Sequence, residues 1–332
     1  WQSGWQADGG WRSLAAIYLA TVLVRGATAF FIRQPGFTDS FYYYDVASNL
    51  YAGRGFVEDF VWNYLEAPPG VTHPSNTYWG PLASLLVLPS FWLFGPSFRA
   101  AQVPMVLLSA LLPVLSYLTA RYLLGSHRQG LIAAVLTMLS GVYLAYWTVP
   151  EGLVPFAIAG AVALMAMARG LGGNWRWSAV AGGAIAVAQL ARSDGALFLV
   201  VLLALWGYAI WRRPAGSSAV GLALQPLLAC GVYTLFMAPW LYRNWLELGS
   251  PLFNAGAQTL FLRDYDEVFT FGGQLDLRYY LAWGWGAILA AKLHAVGQNL
   301  HVVAKALSYY LVPLAGIGLW GMRRERRAQP FL

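Results

Sequence analysis

The chain has 332 residues, of which 58% are hydrophobic and only 11% are charged, whereas an ordinary soluble domain carries about 25% charged residues. So few charges cannot keep so much apolar surface in water, which excludes a soluble enzyme and a disordered tail. The formal net charge of +7 does not indicate a nucleic-acid binder, because the basic residues follow the membrane topology derived below. The single cysteine, Cys230, excludes an intrachain disulfide and a thiolate metal cluster.

The predicted elements are mainly helices that cross a membrane, which takes about 20 apolar residues each. Two shorter apolar runs, 79–94 and 281–291, are predicted to lie in the membrane interface. Residues 33–98 form a large first outer loop and residues 241–301 a second. The expected fold class is therefore all-α, a polytopic membrane protein with interfacial helices in its first outer loop. The spans, about eight in number, are predicted at residues 13–32, 99–124, 129–147, 152–168, 176–191, 195–211, 219–240 and 302–321.

The charged residues predict the orientation of these helices. If the N-terminus is cytoplasmic, the inner side holds eleven arginines and two acidic residues, Asp8 and Glu325, while the other twelve acidic residues fall outside. Every inner loop then carries a basic residue, as the positive-inside rule requires. An even number of spans returns the C-terminus to the cytoplasm. We therefore expect an integral protein of the plasma or inner membrane with its active site on the extracytoplasmic side.

The two ends of the sequence bear on its extent. The chain opens at Trp1 without a methionine and closes after the basic run Arg323–Arg327. We therefore expect residues 1–332 to be the single transmembrane domain of a longer protein, with a further part after residue 332.

The first outer loop holds the first candidate for chemistry. In the run Thr38–Phe56, Asp39 closely follows the first span and Gly53 ends an aromatic stretch. This pattern predicts a short interfacial helix over 40–52 with Asp39 as its N-cap. A carboxyl group at the lipid–water boundary has a raised pKa, which suits a general base. A purely structural N-cap explains the same residue, so both interpretations stay open.

Three more charged residues lie at the predicted outer boundary. Glu151 begins the fourth span, where it either stabilises the helix N-terminus or takes part in chemistry. Arg192 and Arg243 follow the fifth and seventh spans, and two arginines at this depth suit a phosphate or pyrophosphate, which a guanidinium group binds through paired hydrogen bonds. Of the two, Arg243 is favoured for the phosphate. A local ion pair with Asp194 is the alternative for Arg192, and snorkelling of the long side chain is the alternative for both arginines.

The absence of nucleotide motifs restricts the type of substrate. The sequence contains no P-loop, no Gly-rich dinucleotide fingerprint after a strand, and neither Gly-x-Ser-x-Gly nor His-Glu-x-x-His. A membrane enzyme that acts outside without nucleotides needs a substrate that is already activated on that side. A sugar linked to a polyprenyl phosphate is such a substrate.

A set of short motifs recurs in order along most of residues 13–252. Asp39 is followed by Ser40, then by the aromatic stretch and the turn Leu50–Gly55. The later motifs are His73-Pro74 with Trp79-Gly80-Pro81-Leu82, Phe94–Pro104, Arg121–Gly125, and Pro239–Asn244 with Gly249-Ser250-Pro251. Together they resemble the glycosyltransferase C (GT-C) fold, in the branch of the protein O-mannosyltransferases and the lipid A aminoarabinose transferase. Ser40 stands where that branch usually has a second acidic residue.

The resemblance implies an inverting transfer of a sugar from a polyprenyl-phosphate donor to an acceptor hydroxyl of a protein, lipid or glycan. It implies Asp39 as the general base and Glu151 as a second catalytic carboxyl group that orients the acceptor. Arg243 and Arg192 would bind the donor phosphate. Metal dependence stays open: the sequence does not support a divalent metal ion, because the second acid of the pair is missing, but does not exclude one. No other cofactor is assigned, and no nucleic acid is expected. The predicted substrate-binding residues are His73, Asp45, Tyr43 and Trp79, although an aromatic belt at the membrane interface also explains the last two.

Two other functions explain part of the same sequence. A transporter or flippase of a lipid-linked substrate would use the helices and the boundary arginines, and predicts broken helices and polar residues near the bilayer midplane. A non-catalytic membrane subunit predicts that Asp39, Glu151 and Arg243 lie far apart. Convergence of these residues on one cavity would favour the enzyme.

Overall fold

A computed structural model describes residues 10–61, 65, 67–140, 143–171, 173–212, 219–252, 258–273, 275–309 and 311–323. Asp8, Glu325 and the end of the basic run Arg323–Arg327 lie outside the described residues. The described part is almost entirely helical, which confirms the predicted all-α class.

The helices follow one another in chain order with few long breaks. The first half contains α1 (Gly10–Phe31), α2 (Thr38–Tyr51), α3 (Leu82–Phe94), α4 (Phe98–Ser109), α5 (Leu111–Leu124) and α6 (His127–Met138). The second half contains α7 (Leu153–Gly170), α8 (Trp175–Ala191), α9 (Leu197–Arg212), α10 (Ala219–Leu248), α11 (Leu277–Leu281), α12 (Trp285–Ala306) and α13 (Leu311–Met322). A two-stranded antiparallel sheet of β1 (Val57–Glu58) and β2 (His73–Pro74) lies between α2 and α3.

Five helices of the described residues are long and apolar enough to cross a membrane: α1, the continuous pair α4–α5, α7, α9 with its preceding turn, and α10. They correspond to the predicted spans 13–32, 99–124, 152–168, 195–211 and 219–240. Helix α8, at 17 residues, matches the predicted span 176–191. The total number of crossings stays a prediction. Helix α10 continues two turns beyond residue 240, so that Arg243 lies within the helix.

The helix predicted over 129–147 is much shorter than expected. Helix α6 has 12 residues, about 18 Å of rise, which is less than the roughly 30 Å of the hydrocarbon core. Carbonyl groups at a helix end away from water need a donor. Arg25 of α1, fully buried, supplies one from Nη2 to the carbonyl oxygen of Thr137 at 3.4 Å. Its positive charge also complements the carbonyl end of the helix dipole.

The predictions at the end of the chain were wrong in their boundaries. The interfacial run 281–291 belongs to the 22-residue helix α12, and the span predicted over 302–321 is broken between α12 and α13, which are bent by 98°. Ser308 and Tyr309, at φ 53° and 57°, have left-handed backbone conformations that no helix can contain.

Helix α8 is the central helix of the bundle and positions the site. It packs along its length against α7 on one side and α10 on the other. Small residues permit the close approach, since a Cβ added at Gly182 would lie 2.0 Å from the carbonyl oxygen of Ala229. The shared core contains the fully buried Met167, Ile185 and Trp206. The C-terminal end of α8 is therefore held firmly by its neighbours.

Candidate functional site

Two glycines allow three segments of the chain to meet at the end of α8. A Cβ added at Gly80 would lie 2.2 Å from the carbonyl oxygen of Leu190, and one at Gly152 would lie 2.6 Å from that of Ala191. Real Cβ atoms essentially never approach within 3.0 Å of such atoms. The turns that precede α3 and α7 therefore pack directly on the backbone that leads into Arg192.

Three of the predicted residues converge at this point: Asp39 from the first turn of α2, Glu151 from the turn before α7, and Arg192 after α8. The charge of Asp39 acts on Glu151, and the charge of Arg192 acts on both carboxyl groups. A Cβ at Gly152 would lie 3.3 Å from Cγ of Arg192 and 3.2 Å from the hydroxyl of Tyr43. We refer to Asp39, Glu151 and Arg192 as the carboxyl–arginine cluster; the predicted Tyr43 borders it.

Glu151 is held as a buried carboxyl group. It is 2% exposed, and its Oε1 accepts a hydrogen bond from the N–H of Gly152 at 2.9 Å. Its Oε2 is buried and has no hydrogen-bond partner among the described residues. Burial, reinforced by the charge of Asp39, raises the pKa of Glu151 to about 8. Glu151 is therefore mostly protonated at neutral pH and can donate a hydrogen bond.

Asp39 occupies a different environment. The N-cap of α2 is Phe37, without a side-chain cap, so the prediction that Asp39 caps this helix was wrong; it lies in the first turn, where the helix dipole favours its charge. Burial raises its pKa, but the hydroxyl of Thr38 and the charge of Arg192 both oppose the rise. Asp39 is therefore the member of the pair that is suited to be ionised when Glu151 is neutral.

The guanidinium group of Arg192 uses only one of its nitrogens in hydrogen bonds within the described residues. Its Nε donates to Oδ1 of Asp194 at 3.2 Å, and its side chain is 29% exposed. Within the described part of the chain no hydrogen bond uses its two terminal nitrogens. A guanidinium group in this state can bind two oxygens of a phosphate.

An aromatic group adjoins the cluster. The predicted Trp79 lies 6.4 Å from the ring of Tyr43 and 4.6 Å from that of Tyr78, measured between centroids. Burial raises the pKa of Tyr78, and the charges of Arg192 and Asp39 act on its hydroxyl. Tyr78 thus lies near the carboxyl–arginine cluster beside the predicted Trp79, although it was not among the predicted substrate-binding residues.

Arg243 is not part of this cluster. Its Nη2 donates to the carbonyl oxygen of Phe56 at 3.1 Å, and its guanidinium lies 5.1 Å from the ring centroid of Trp240. The titratable groups that act on it are Glu247 and Tyr42. The geometry therefore favours Arg192 over Arg243 beside the two carboxyl groups, in the opposite order to the one expected from the sequence.

His73 and Asp45 both stabilise the first loop. Nε2 of His73 lies 3.3 Å from Oε1 of Glu58 and 3.1 Å from the carbonyl oxygen of Phe60, and both ionisable side chains are buried. Oδ2 of Asp45 accepts from the N–H of Asp59 at 3.0 Å. The structure thus gives these two residues structural partners, and their predicted substrate contacts stay untested.

An apolar cavity of about 550 Å³ begins one turn from the carboxyl–arginine cluster. It lies between α3, α4, α7, α8 and α10, and residues near the cluster that line it are Leu82, Pro155 and Val187. Leu82 follows Gly80 and Pro155 follows Gly152 along the chain, and Val187 precedes Arg192 by little more than a helical turn. A site for charged chemistry and a site for an apolar chain thus adjoin each other. Among the described residues, no three His, Cys, Asp or Glu side chains could share a metal ion.

Comparison with solved structures supports the helical architecture. The apo form of the Archaeoglobus fulgidus oligosaccharyltransferase superposes with a TM-score of 0.51 at 16% identity, over 94% of this chain and 35% of that chain. The second structure is the archaeal oligosaccharyltransferase AglB from Archaeoglobus fulgidus in complex with an inhibitory peptide and a dolichol-phosphate. It superposes with a TM-score of 0.49 at 14% identity, over 95% of this chain and 35% of that chain. This chain thus spans about a third of the length of those proteins. No curated protein matches it.

A family model identifies the chain more directly. The model described as dolichyl-phosphate-mannose-protein mannosyltransferase matches residues 73–242, just over half of the sequence. The matched region contains Glu151, Arg192 and the helices that enclose the apolar cavity. The chain therefore belongs to the dolichyl-phosphate-mannose-protein mannosyltransferase family and is a helical membrane protein with the GT-C fold.

Proposed function

We propose that this protein is a glycosyltransferase, which transfers a sugar from a polyprenyl-phosphate-linked donor to an acceptor hydroxyl at the extracytoplasmic face. The observation that carries the proposal is the position of the carboxyl–arginine cluster beside the apolar cavity. A lipid-linked sugar has the same two parts in the same order, a charged head group and a long apolar chain. A transporter or a non-catalytic subunit would not require two carboxyl groups in different protonation states at that point.

The donor would bind in two places. Its polyprenyl chain would occupy the cavity between α3, α7 and α8, which removes apolar surface from water and lipid head groups. Its phosphate would accept hydrogen bonds from the terminal nitrogens of Arg192. Arg243 is a second predicted phosphate ligand, at the end of α10 and beside Phe56.

The reaction would be a single displacement at the anomeric carbon. Asp39 removes the proton of the acceptor hydroxyl while that oxygen forms the new bond to the anomeric carbon. The bond between the anomeric carbon and the phosphate oxygen breaks, its electron pair stays on the phosphate, and Arg192 stabilises the added charge. The configuration at carbon is inverted, and the proton ends on Asp39. Neutral Glu151 would orient the acceptor by donating a hydrogen bond to it.

Replacement of Asp39 by asparagine tests the base. A general base contributes roughly 10²- to 10⁴-fold to the rate, so we expect Asp39→Asn to lose at least about 100-fold in turnover. The measurement is transfer of radiolabelled sugar from polyprenyl phosphate by the purified protein. Asp266→Asn, the same change in an exposed loop, should leave turnover unchanged. If Asp39→Asn, folded by thermal melting, kept nearly normal transfer, Asp39 would not be the base.

A further inference from the structure

A second cavity lies away from the apolar one and has a different character. It encloses about 710 Å³ between helix α12 and the segment that starts at Arg263. Alanines of α12 form part of its wall, and its polar and aromatic lining comprises Arg263, Asp264, Tyr265, Trp283, His294, Gln298 and Asn299. Neither the family motifs nor the carboxyl–arginine cluster uses these residues. A volume of this size is typical of small-ligand sites.

Helix α12 has two unlike faces. One face carries a stripe of exposed apolar side chains at helical spacing, Trp285, Leu289, Leu293, Val296, Leu300 and Val303. The opposite face presents Ala287, Ala291, His294 and Gln298 to the cavity. An amphipathic pattern of this kind is typical of a helix in the membrane interface with its apolar face toward lipid. In that orientation the cavity would face water, which suits a polar ligand.

One residue that lines the cavity, Tyr265, lies on the side of the carboxyl–arginine cluster. Its hydroxyl acts electrostatically on that of Tyr78, as the charges of Asp39 and Arg192 also do. The same segment packs on the first loop, since a Cβ at Gly273 would lie 3.0 Å from Cδ2 of Leu65. Tyr265 is therefore the residue by which the cavity approaches the aromatic group that borders the cluster.

Carboxylates outnumber the one arginine at this cavity. The carboxylate of Glu267 accepts a hydrogen bond from the backbone N–H of Arg263 at 2.9 Å, and the guanidinium group of Arg263 lies 3.8 Å from the ring centroid of Tyr279. Asp264 adds a second negative charge beside the same arginine. A phosphate or another anion would meet these carboxylates, so the lining favours an uncharged ligand.

The remaining groups are those that bind sugars. Gln298 and His294, 3.3 Å apart, offer donors and acceptors, and Nε of Arg263 is buried without a hydrogen-bond partner among the described residues. Trp283 and Tyr265 provide flat apolar surfaces. Planar polar groups beside aromatic faces match a ring that carries hydroxyl groups on its edge and C–H groups on its faces.

We propose that this cavity binds a sugar residue of a neutral glycan, which serves as the acceptor. The inference rests on the proposed transfer reaction and makes it more specific: the enzyme extends a glycan, and the hydroxyl of a bound sugar reaches Asp39 past Tyr78.

The first experiment measures binding without transfer. Neutral disaccharides of the common hexoses are added to the purified full chain in detergent micelles, and binding is followed by ligand-observed NMR. At least one disaccharide should bind to the wild type and equally to Asp39→Asn. His294→Ala should weaken that binding about tenfold, the effect of one lost hydrogen bond. His301→Ala is the matched control, because His301 lies on the same helix outside the cavity lining, and should bind as the wild type does.

The second experiment separates this inference from the proposed function. With the binding disaccharide as acceptor, His294→Ala should raise KM for the acceptor about tenfold and leave kcat within about twofold. Absence of binding by every disaccharide, or equal binding by His294→Ala, would overturn the inference while transfer by the wild type upheld the function. A serine-rich peptide or inorganic phosphate that binds in place of the sugar would overturn it as well. Sugar binding without any transfer from polyprenyl-phosphate sugars would refute the function alone.

Discussion

Asp39 and Glu151 carry carboxyl groups of nearly equal intrinsic acidity, and the fold places them in environments that shift their pKa values differently. Glu151 is almost completely buried, so its charged form is penalised, and the nearby charge of Asp39 increases that penalty. Burial also raises the pKa of Asp39, but this carboxyl group lies in the first turn of a helix, near Thr38 and Arg192, which favour its charged form. One carboxyl group is thus prepared to accept a proton and the other to donate a hydrogen bond.

The dependence of the reaction on pH should report this separation. If Glu151 acts in its neutral form, kcat/KM falls as the pH rises through its pKa of about 8. Glu151→Gln, which cannot ionise, should flatten this alkaline limb and retain measurable transfer. Steady-state kinetics of both proteins over the pH range that brackets this value make the comparison. An unchanged alkaline limb in Glu151→Gln would assign the limb to another group.

The free energy of unfolding should also depend on the protonation of Glu151. The pKa of Glu151 is raised from the ordinary glutamate value of 4.5 to about 8 in the folded chain, so the folded state holds the proton more tightly than the unfolded state. Its contribution to stability is complete below about 4.5 and is lost as the pH rises through 8. The melting temperature of the wild type should therefore decline over this interval more steeply than that of Glu151→Gln. Parallel declines would contradict the buried, protonated state.

At the scale of elements, the site depends on how closely other segments approach the end of α8. The turn before α3 contacts it at Gly80, where no side chain fits. Neighbouring helices hold α8 on both sides, so the backbone at Leu190 cannot retreat freely. Any side chain at residue 80 must therefore displace either the turn or the segment that carries Arg192.

Gly80→Ala tests this packing against a matched glycine. The added Cβ at 2.2 Å from a carbonyl oxygen should destabilise the protein by about 1–3 kcal/mol and reduce transfer. Gly207→Ala, in helix α9 with nothing within 4 Å of the new Cβ, should be neutral or stabilising by up to about 1 kcal/mol. Thermal melting of both variants in the same detergent provides the measurement. Equal melting temperatures would show that the contact is not tight.

The elements also show where prediction from hydropathy succeeds. Spans such as 13–32 and 152–168 were predicted near their observed ends, because length and apolar content are local properties. Residues 129–147 are equally apolar, yet α6 ends at Met138. A buried donor, Arg25, can satisfy a helix end that hydrocarbon would leave without a partner. Hydropathy contains no information about such a partner.

At the scale of the whole molecule, the orientation predicted from the arginines places the carboxyl–arginine cluster outside the cytoplasm. Two single cysteines in a Cys230→Ser background test it. Thr270→Cys, exposed in the second loop, should react with a membrane-impermeant maleimide in intact cells. Gln129→Cys, exposed at the start of α6, should react only after the cells are made permeable. The reverse labelling pattern would contradict the predicted orientation and place the carboxyl–arginine cluster on the cytoplasmic side.

The candidate site could be predicted in part. Asp39, Glu151 and Arg192 stood out because charges at a membrane boundary are costly and few, and these three do converge. Arg243 stood out for the same reason, whereas His73 and Asp45 were predicted from the family resemblance. In the structure these three residues contact Phe56, Glu58 and Asp59 respectively. Hydropathy and charge predict which residues lie at the membrane boundary, whereas they do not predict the positions of those residues around the bundle.

The sequence by itself determined that this chain is a helical membrane protein, where most of its long apolar helices lie, and which family it resembles. These properties depend on composition, length and motif order, which neighbouring residues supply. Only the tertiary structure decided which arginine joins the two carboxyl groups, which carboxyl group keeps its proton, and where the cavities open. Burial and electrostatic interaction depend on atoms brought together from distant parts of the chain, as Asp39, Glu151 and Arg192 are.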